Sequence, residues 1–238
     1  MEVLGETVSW FIDPAHWTGR DGIPTRVLEH VVLSLVSIVI ASLVAVPVGL
    51  TIGHTRRAEA IVIGFANLGR ALPSLAVLLI FLPLVGIGDP LAVVAMVALA
   101  IPPIVVNSAV GVREVDRDLT EAGHGMGMNE MELLRRVELP IALPVILTGL
   151  RVAAVQVVAT LTLGALVAGG GLGRYIVDGL AVRDEGRLVA GALLVALLAI
   201  LTERTFGSIE RRAVSPGLVP RGPSPAELTP PSAQPMTP

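Results

Sequence analysis

The sequence predicts an all-α integral membrane protein with about five transmembrane helices, and three observations carry that expectation. First, 53% of its 238 residues are hydrophobic, only 16% are charged and the mean hydropathy is +0.78, which is too apolar for a soluble domain of this length. Second, uncharged or nearly uncharged runs occupy about 31–53, 71–88, 90–111, 141–168 and 188–202, close to the roughly 20 residues that a helical span requires. Third, arginines gather near the ends of those runs, as topology signals do.

Residues 1–26 are polar and partly acidic, without a basic start or a small-residue cleavage site, so no cleaved signal peptide is expected and the segment reads as extracytoplasmic. Trp10 and Trp17 lie seven residues apart, on one side of a helix, where they read as interfacial anchors. A membrane domain follows over 27–207. Pro47 and Gly49 are expected to bend its first span.

The second run is interrupted by Asn67, Gly69, Arg70 and Pro73, with Pro83 near its far end. Irregular backbone at membrane depth is tolerated only where protein or a water-filled cavity supplies hydrogen-bond partners. Asn67, Arg70, Pro73 and Ser74 are therefore candidate pathway or gate residues, unless the span starts later and Arg70 simply snorkels to the interface. Pro102 and Pro103, followed by Asn107, are expected to break the third run, which adds Pro103 and Asn107 to the candidates. Residues 208–238 form the remaining region, a cytoplasmic tail. Its stretch from 213 onward holds eight prolines without apolar periodicity and is expected to be disordered.

Orientation follows from the arginines. Nine (Arg56, Arg57, Arg113, Arg117, Arg135, Arg136, Arg204, Arg211 and Arg212) flank one side of the spans, and five (Arg20, Arg26, Arg174, Arg183 and Arg187) the other. The richer side reads as cytoplasmic, which puts the N-terminus out and the C-terminus in. All 17 basic residues are Arg and there is no Cys. Without Lys the chain has no P-loop, and without Cys it has neither disulfides nor thiolate-bound metals.

Three tempting motifs carry little. Gly86-Ile87-Gly88-Asp89 matches an intramembrane aspartyl protease pattern, but no second Asp lies in a predicted span to share a proton, so a turn before Pro90 is the better reading. Gly169 to Gly173 lacks the preceding strand and the Lys of a phosphate cradle; a hinge or a close helix approach is expected instead. The four histidines are scattered rather than paired at i, i+4, so no metal site is expected.

The informative segment is polar: Glu121-Ala122-Gly123, three residues, Gly127, nine residues, Val137-Glu138-Leu139-Pro140. Asp118 and Glu121 suggest a capping box that starts a short helix at Leu119, with Leu119, Ala122 and Met126 on one face. Gly125 and Gly127 should end it. A second capping box at Asn129 and Glu132 should start another helix, which Pro140 ends or kinks at the membrane.

This spacing resembles the cytoplasmic EAA loop of ABC importer permeases, whose pattern is E-A-A, three residues, G, nine residues, I-x-L-P. Gly123 stands for the second Ala and Val137 for the Ile. Glu29-His30, Phe65-Ala66-Asn67, Leu72 to Ala76, Gly86 to Gly88, Pro103 to Asn107 and Gly169 to Gly173 are similar to the osmoprotectant (glycine betaine, carnitine, choline) subfamily over about residues 27–205.

The resemblance implies a type I ABC importer permease fold with a coupling helix in the 112–140 loop, in a bacterial inner membrane. It implies ATPase-coupling roles for Leu119, Glu121, Ala122, Gly123, Met126, Gly127, Leu139 and Pro140. ABC ATPase subunits would bind the ATP and Mg, a second permease copy or homologue would complete the pore, and an extracytoplasmic binding protein would deliver the solute. The chain itself would bind no cofactor and no nucleic acid and would not be an enzyme. With two Trp, one Tyr and four Phe, it is too poor in aromatics for a full cation–π cage, so selectivity is expected mainly in the binding protein. A methionine-type ABC permease is the near alternative. An ion-coupled secondary carrier is the distant one, and it would need intramembrane carboxylates and internal repeats.

Overall fold

In the computed structural model the described residues are 2–55, 60, 64, 67 and 73–213. Their main helices are α1 (Glu2–Ile12), α2 (Ile23–Thr55), α3 (Ser74–Val85), α4 (Asp89–Arg113), α5 (Arg117–Gly125), α6 (Glu130–Leu133), α7 (Leu139–Thr160), α8 (Gly173–Val182) and α9 (Glu185–Ala213). A π-turn over Leu134–Glu138 joins α6 to α7, and a 3-10 segment over Leu161–Val167 follows α7. Among the described residues, four helical stretches are long and apolar enough to cross a membrane: Ile23–Thr55, Asp89–Arg113, Glu130–Val167 and Glu185–Ala213. The second expected span is represented by α3, whose 12 residues rise only about 18 Å, against a hydrocarbon core of roughly 30 Å.

Helix α4 is the centre of the bundle, between α2 and α7, and small residues put it there. Ala41, Ala45, Gly49 and Gly53 recur every four residues along α2 and are buried. A Cβ on Gly49 would lie 2.5 Å from Cβ of Ser108 and 2.7 Å from the Val105 carbonyl, and one on Gly53 would lie 2.6 Å from the Ala109 carbonyl. On the opposite side of α4, Gly111 meets Ala142 and Val145, while Gly149 of α7 meets Asn107 and Pro103. Lipid is as apolar as leucine, so helices associate in a membrane through such close backbone packing rather than through hydrophobic burial.

Pro102 and Pro103 do not break α4, which runs unbroken to Arg113. Asn107 Nδ2 donates to the Pro103 carbonyl at 2.7 Å, and Gly149 leaves room for both residues. Neighbouring helices and polar side chains are what allow proline inside a membrane helix. Pro47 likewise lies inside a continuous α2.

Near the N-terminal end of α2 the chain builds a second, smaller core. Trp10 is 7% exposed, stacks on His16 at 4.2 Å and meets Tyr175 edge-on at 5.1 Å. It is therefore not the interfacial anchor expected from its spacing. Trp17 stays half-exposed, its indole N–H donating to the Phe11 carbonyl. The outward stripe of α1 consists instead of Leu4, Val8 and Ile12. Burial of Tyr175, in the short α8, pushes its phenol up to about 12, because a desolvated site disfavours the phenolate. At the far end, α9 continues past residue 207 to Ala213, so helix occupies the start of the expected tail. Residues 214–238 lie outside the described residues.

Candidate functional site

Helix α5 starts one turn boundary earlier than expected. Its N-cap is Asp116, whose side chain accepts from the Asp118 amide at 2.9 Å, so Asp118 belongs to the first turn, where a negative charge meets the helix dipole favourably. The C-terminus explains the glycine of the motif. The Met128 amide donates to the Gly123 carbonyl at 3.1 Å and the Gly127 amide to the His124 carbonyl at 2.9 Å. With Gly127 at φ +82°, this is a Schellman cap, which needs a residue in the left-handed region.

The next three residues lead into the expected second capping box: Asn129 Oδ1 accepts from the Glu132 amide, and Glu132 accepts from the Asn129 amide. The departure at Gly123 also has a local cause, since Leu133 of α6 packs onto it and a Cβ there would lie 2.6 Å from Leu133 Cδ1. Gly123 thus faces inward. Leu119 (48% exposed) and Met126 (71%) face outward, as do Glu121 and Ala122. The site is a rigidly capped short helix presenting an uncovered apolar face of Leu119, Ala122 and Met126 at one end of the bundle.

Pro140 does not end the second helix. The chain widens into the π-turn, closed by the Leu139 amide on the Leu134 carbonyl, and Pro140 then occupies the first turn of α7. Proline lacks the N–H that a continuous α-helix would use there, and its ring crowds the carbonyl four residues back. A π-turn relieves both at a helix junction. Glu138, the last residue of the turn, is buried and its Oε2 lies 2.6 Å from Nδ1 of His54, while Nε2 of the same imidazole lies 3.1 Å from Glu130.

The described pathway candidates fall on separate elements. Pro103 and Asn107 sit one turn apart in the α4–α7 seam. Pro73 is the N-cap of α3 and Ser74 its first residue. Asn67 is helical and exposed. Arg70 lies outside the described residues.

The glycine run at 169–173 is the close approach expected, and its amides are already taken, two of them by carboxylates. Gly170 donates to Asp89 at 2.7 Å, Gly171 to Glu29 at 3.0 Å, and Leu172 to His30 Nδ1 at 3.2 Å. Because Nδ1 accepts, the proton of His30 sits on Nε2, which donates to the Val158 carbonyl. Occupied amides flanked by carboxylates leave no cradle for a phosphate. Asp89 thereby has a structural role at the turn formed by Gly86 and Gly88, both at positive φ.

The sequence reading missed His54 and Glu138, and also Arg151 inside the fourth span. Arg151 lies 3.1 Å from Glu210 and 3.6 Å from Glu203, and Thr148 donates to Glu210. The only sequence signal for any of these was a charge inside or beside an apolar run, with no way to name its partner.

Comparison with known proteins bears on all of this. A family model described as a binding-protein-dependent transport system inner membrane component matches residues 31–215. The glycine betaine/carnitine/choline transport system permease protein OpuCB of Bacillus subtilis is 37% identical over 190 residues, covering 80% of this chain and 88% of that protein. The choline transport system permease protein OpuBB of the same organism is 37% identical over 193 residues, covering 81% and 89%. Among solved structures, a chain of the MetNI methionine ABC transporter in an inward-facing conformation superposes with a TM-score of 0.72 at 24% identity, covering 81% of this chain and 96% of that chain. That likeness concerns the fold, the type I ABC importer permease fold.

Proposed function

This chain belongs to the family of inner membrane components of binding-protein-dependent transport systems, and from that membership we propose that it carries a quaternary-ammonium compatible solute such as glycine betaine, carnitine or choline across the membrane. It is a transport subunit rather than an enzyme, working with separate ATPase and substrate-binding components. The substrate class is supported by the relatives named for those three solutes.

The observation that carries the coupling role is the capped α5 with its uncovered face of Leu119, Ala122 and Met126. A helix held by a cap at each end docks into a groove as a rigid body, losing little conformational entropy. An ATPase subunit that binds ATP and Mg occupies that face, and its motion enters the membrane through Leu139 and Pro140 into α7. With arginines biased nine to five toward the loop end, that end is cytoplasmic, the N-terminus is outside and the C-terminus inside.

A second permease, identical or homologous, completes the pore, since one bundle centred on α4 is filled by its own side chains. Solute recognition rests mainly on the extracytoplasmic binding protein. Tyr175 and Trp10 are buried against each other, and the Tyr175 ring already faces Arg187 at 5.8 Å, so that ring is engaged by a cation of the chain itself. Family membership also favours ATP over an ion gradient as the energy source: the carboxylates Glu203 and Glu210 are paired with Arg151.

The test uses the permease, ATPase and binding protein reconstituted in lipid vesicles. Replacing Leu119 and Met126 together by Glu should abolish ATPase association and uptake of labelled solute while membrane insertion persists. Undiminished uptake in that variant removes the coupling role, and failure to take up any of the three solutes with the intact chain removes the substrate assignment.

A further inference from the structure

The coupling segment leaves α4 and enters α7, yet its one buried acid reaches neither. Glu138 is the only acidic residue in the buried class among the described residues, at 6% exposure, and it lies against His54, next to the last described residue of α2 and 84 positions away in sequence. His54 is itself only 15% exposed in its side chain, and it presents both ring nitrogens to carboxylates, Nδ1 to Glu138 at 2.6 Å and Nε2 to Glu130 at 3.1 Å. A doubly protonated imidazolium satisfies both contacts. Helix ends suit the arrangement: a basic side chain, His54, lies in the last turn of α2 and an acid, Glu130, in the first turn of α6, each where the backbone dipole favours it.

We infer that His54 is a positioning residue for energy coupling, clasping the loop to α2 so that movement of α5 and α6 displaces α2 together with α7. The inference rests on the coupling role proposed above. Two features make the clasp suitable for transmitting motion. Glu138 is the last residue of the π-turn, a local widening by one residue whose reversion to α geometry would swing this side chain by roughly 100° around the helix. In addition, α2 is continuous from His54 to Glu29 and His30, which hold Gly171 and Leu172 at the opposite end. That run of helix spans about 36 Å. A rod clasped at both ends links the loop to the glycine segment without passing through α4.

The decisive variant is the double His54→Leu/Glu138→Leu, because replacing a buried ion pair by apolar residues of similar size is often neutral for stability, whereas removing one partner strands a buried charge. In vesicles containing ATPase and binding protein, the double should keep ATPase association and basal ATP hydrolysis while solute uptake per ATP falls roughly tenfold, a coupling change of the usual size. His54→Arg, which keeps a cation with several donors, should retain more uptake than His54→Gln. The inference is overturned if the double keeps uptake near the parent level, or if hydrolysis and association fall in step with uptake. Should the double fail to accumulate, equal uptake by the Arg and Gln variants overturns it and a higher value for Arg upholds it. Leu119 and Met126 variants run in parallel separate the two levels: normal uptake there removes the coupling role itself, whereas loss there with a normal double removes only the clasp.

Discussion

Gly127 offers the cleanest test of why the loop motif contains a glycine. Its φ of +82° is in the left-handed region, and a Cβ built on it meets no atom within 4 Å. The cost of a substitution is therefore conformational, with no steric part from the chain itself. An ordinary L-residue loses about 1–2 kcal/mol in that region, and a β-branched one sits at the upper end, while Asn tolerates it. About 2 kcal/mol corresponds to a factor of roughly 30 in the population of a local conformer. Gly127→Val should therefore weaken binding of the ATPase to the permease in nanodiscs by about tenfold or more, with uptake falling alongside, whereas Gly127→Asn should stay near the parent. The reasoning fails if Val binds as the parent does, since the turn would then not matter. It also fails if Asn is as damaging as Val, since the partner would then be excluding any side chain rather than reading the turn.

Two further outcomes follow from the packing and from the Trp10–Tyr175 corner. Gly149→Val places its Cβ 2.5 Å from Asn107 Cβ and 3.1 Å from the Pro103 carbonyl; it should lower thermal stability in detergent by about 1–3 kcal/mol or prevent accumulation, whereas Gly125→Ala, on a helical residue with open space around it, should stabilise by up to about 1 kcal/mol. For Tyr175, the folded phenol titrates near 12 against an ordinary 10.0. The neutral form is thus the one favoured by folding, and its contribution is complete below pH 10 and is lost between pH 10 and 12. Trp10 fluorescence should follow that loss, and Tyr175→Phe should remove the step.

The loop was the most legible part of the sequence, because its meaning is local. Capping boxes, a Schellman glycine and an amphipathic stripe are set by residues within a turn or two of one another. Two details differed: the first cap is Asp116 instead of Asp118, both short acids able to accept from a nearby amide, and Pro140 opens α7 after a π-turn. The prolines of α4 and Trp10 were misread for the opposite reason: what they do depends on distant neighbours. Pro103 is accommodated by Gly149, and Trp10 is buried by Tyr175.

The sequence alone determined that this chain crosses a membrane, that it carries no nucleotide-binding lysine, and that it presents a capped polar loop between two spans. Each of those follows from composition or short spacing. The tertiary structure decided which helix is central and which groups bear on one another across the bundle. The stripe Ala41, Ala45, Gly49 and Gly53 was visible as a spacing of four, but its partner was not. His54 with Glu138, Glu29 with Gly171, and Arg151 with Glu210 join residues from segments far apart in the chain. A charge within an apolar run signals that it must be paired, and only the packed fold supplies the pair.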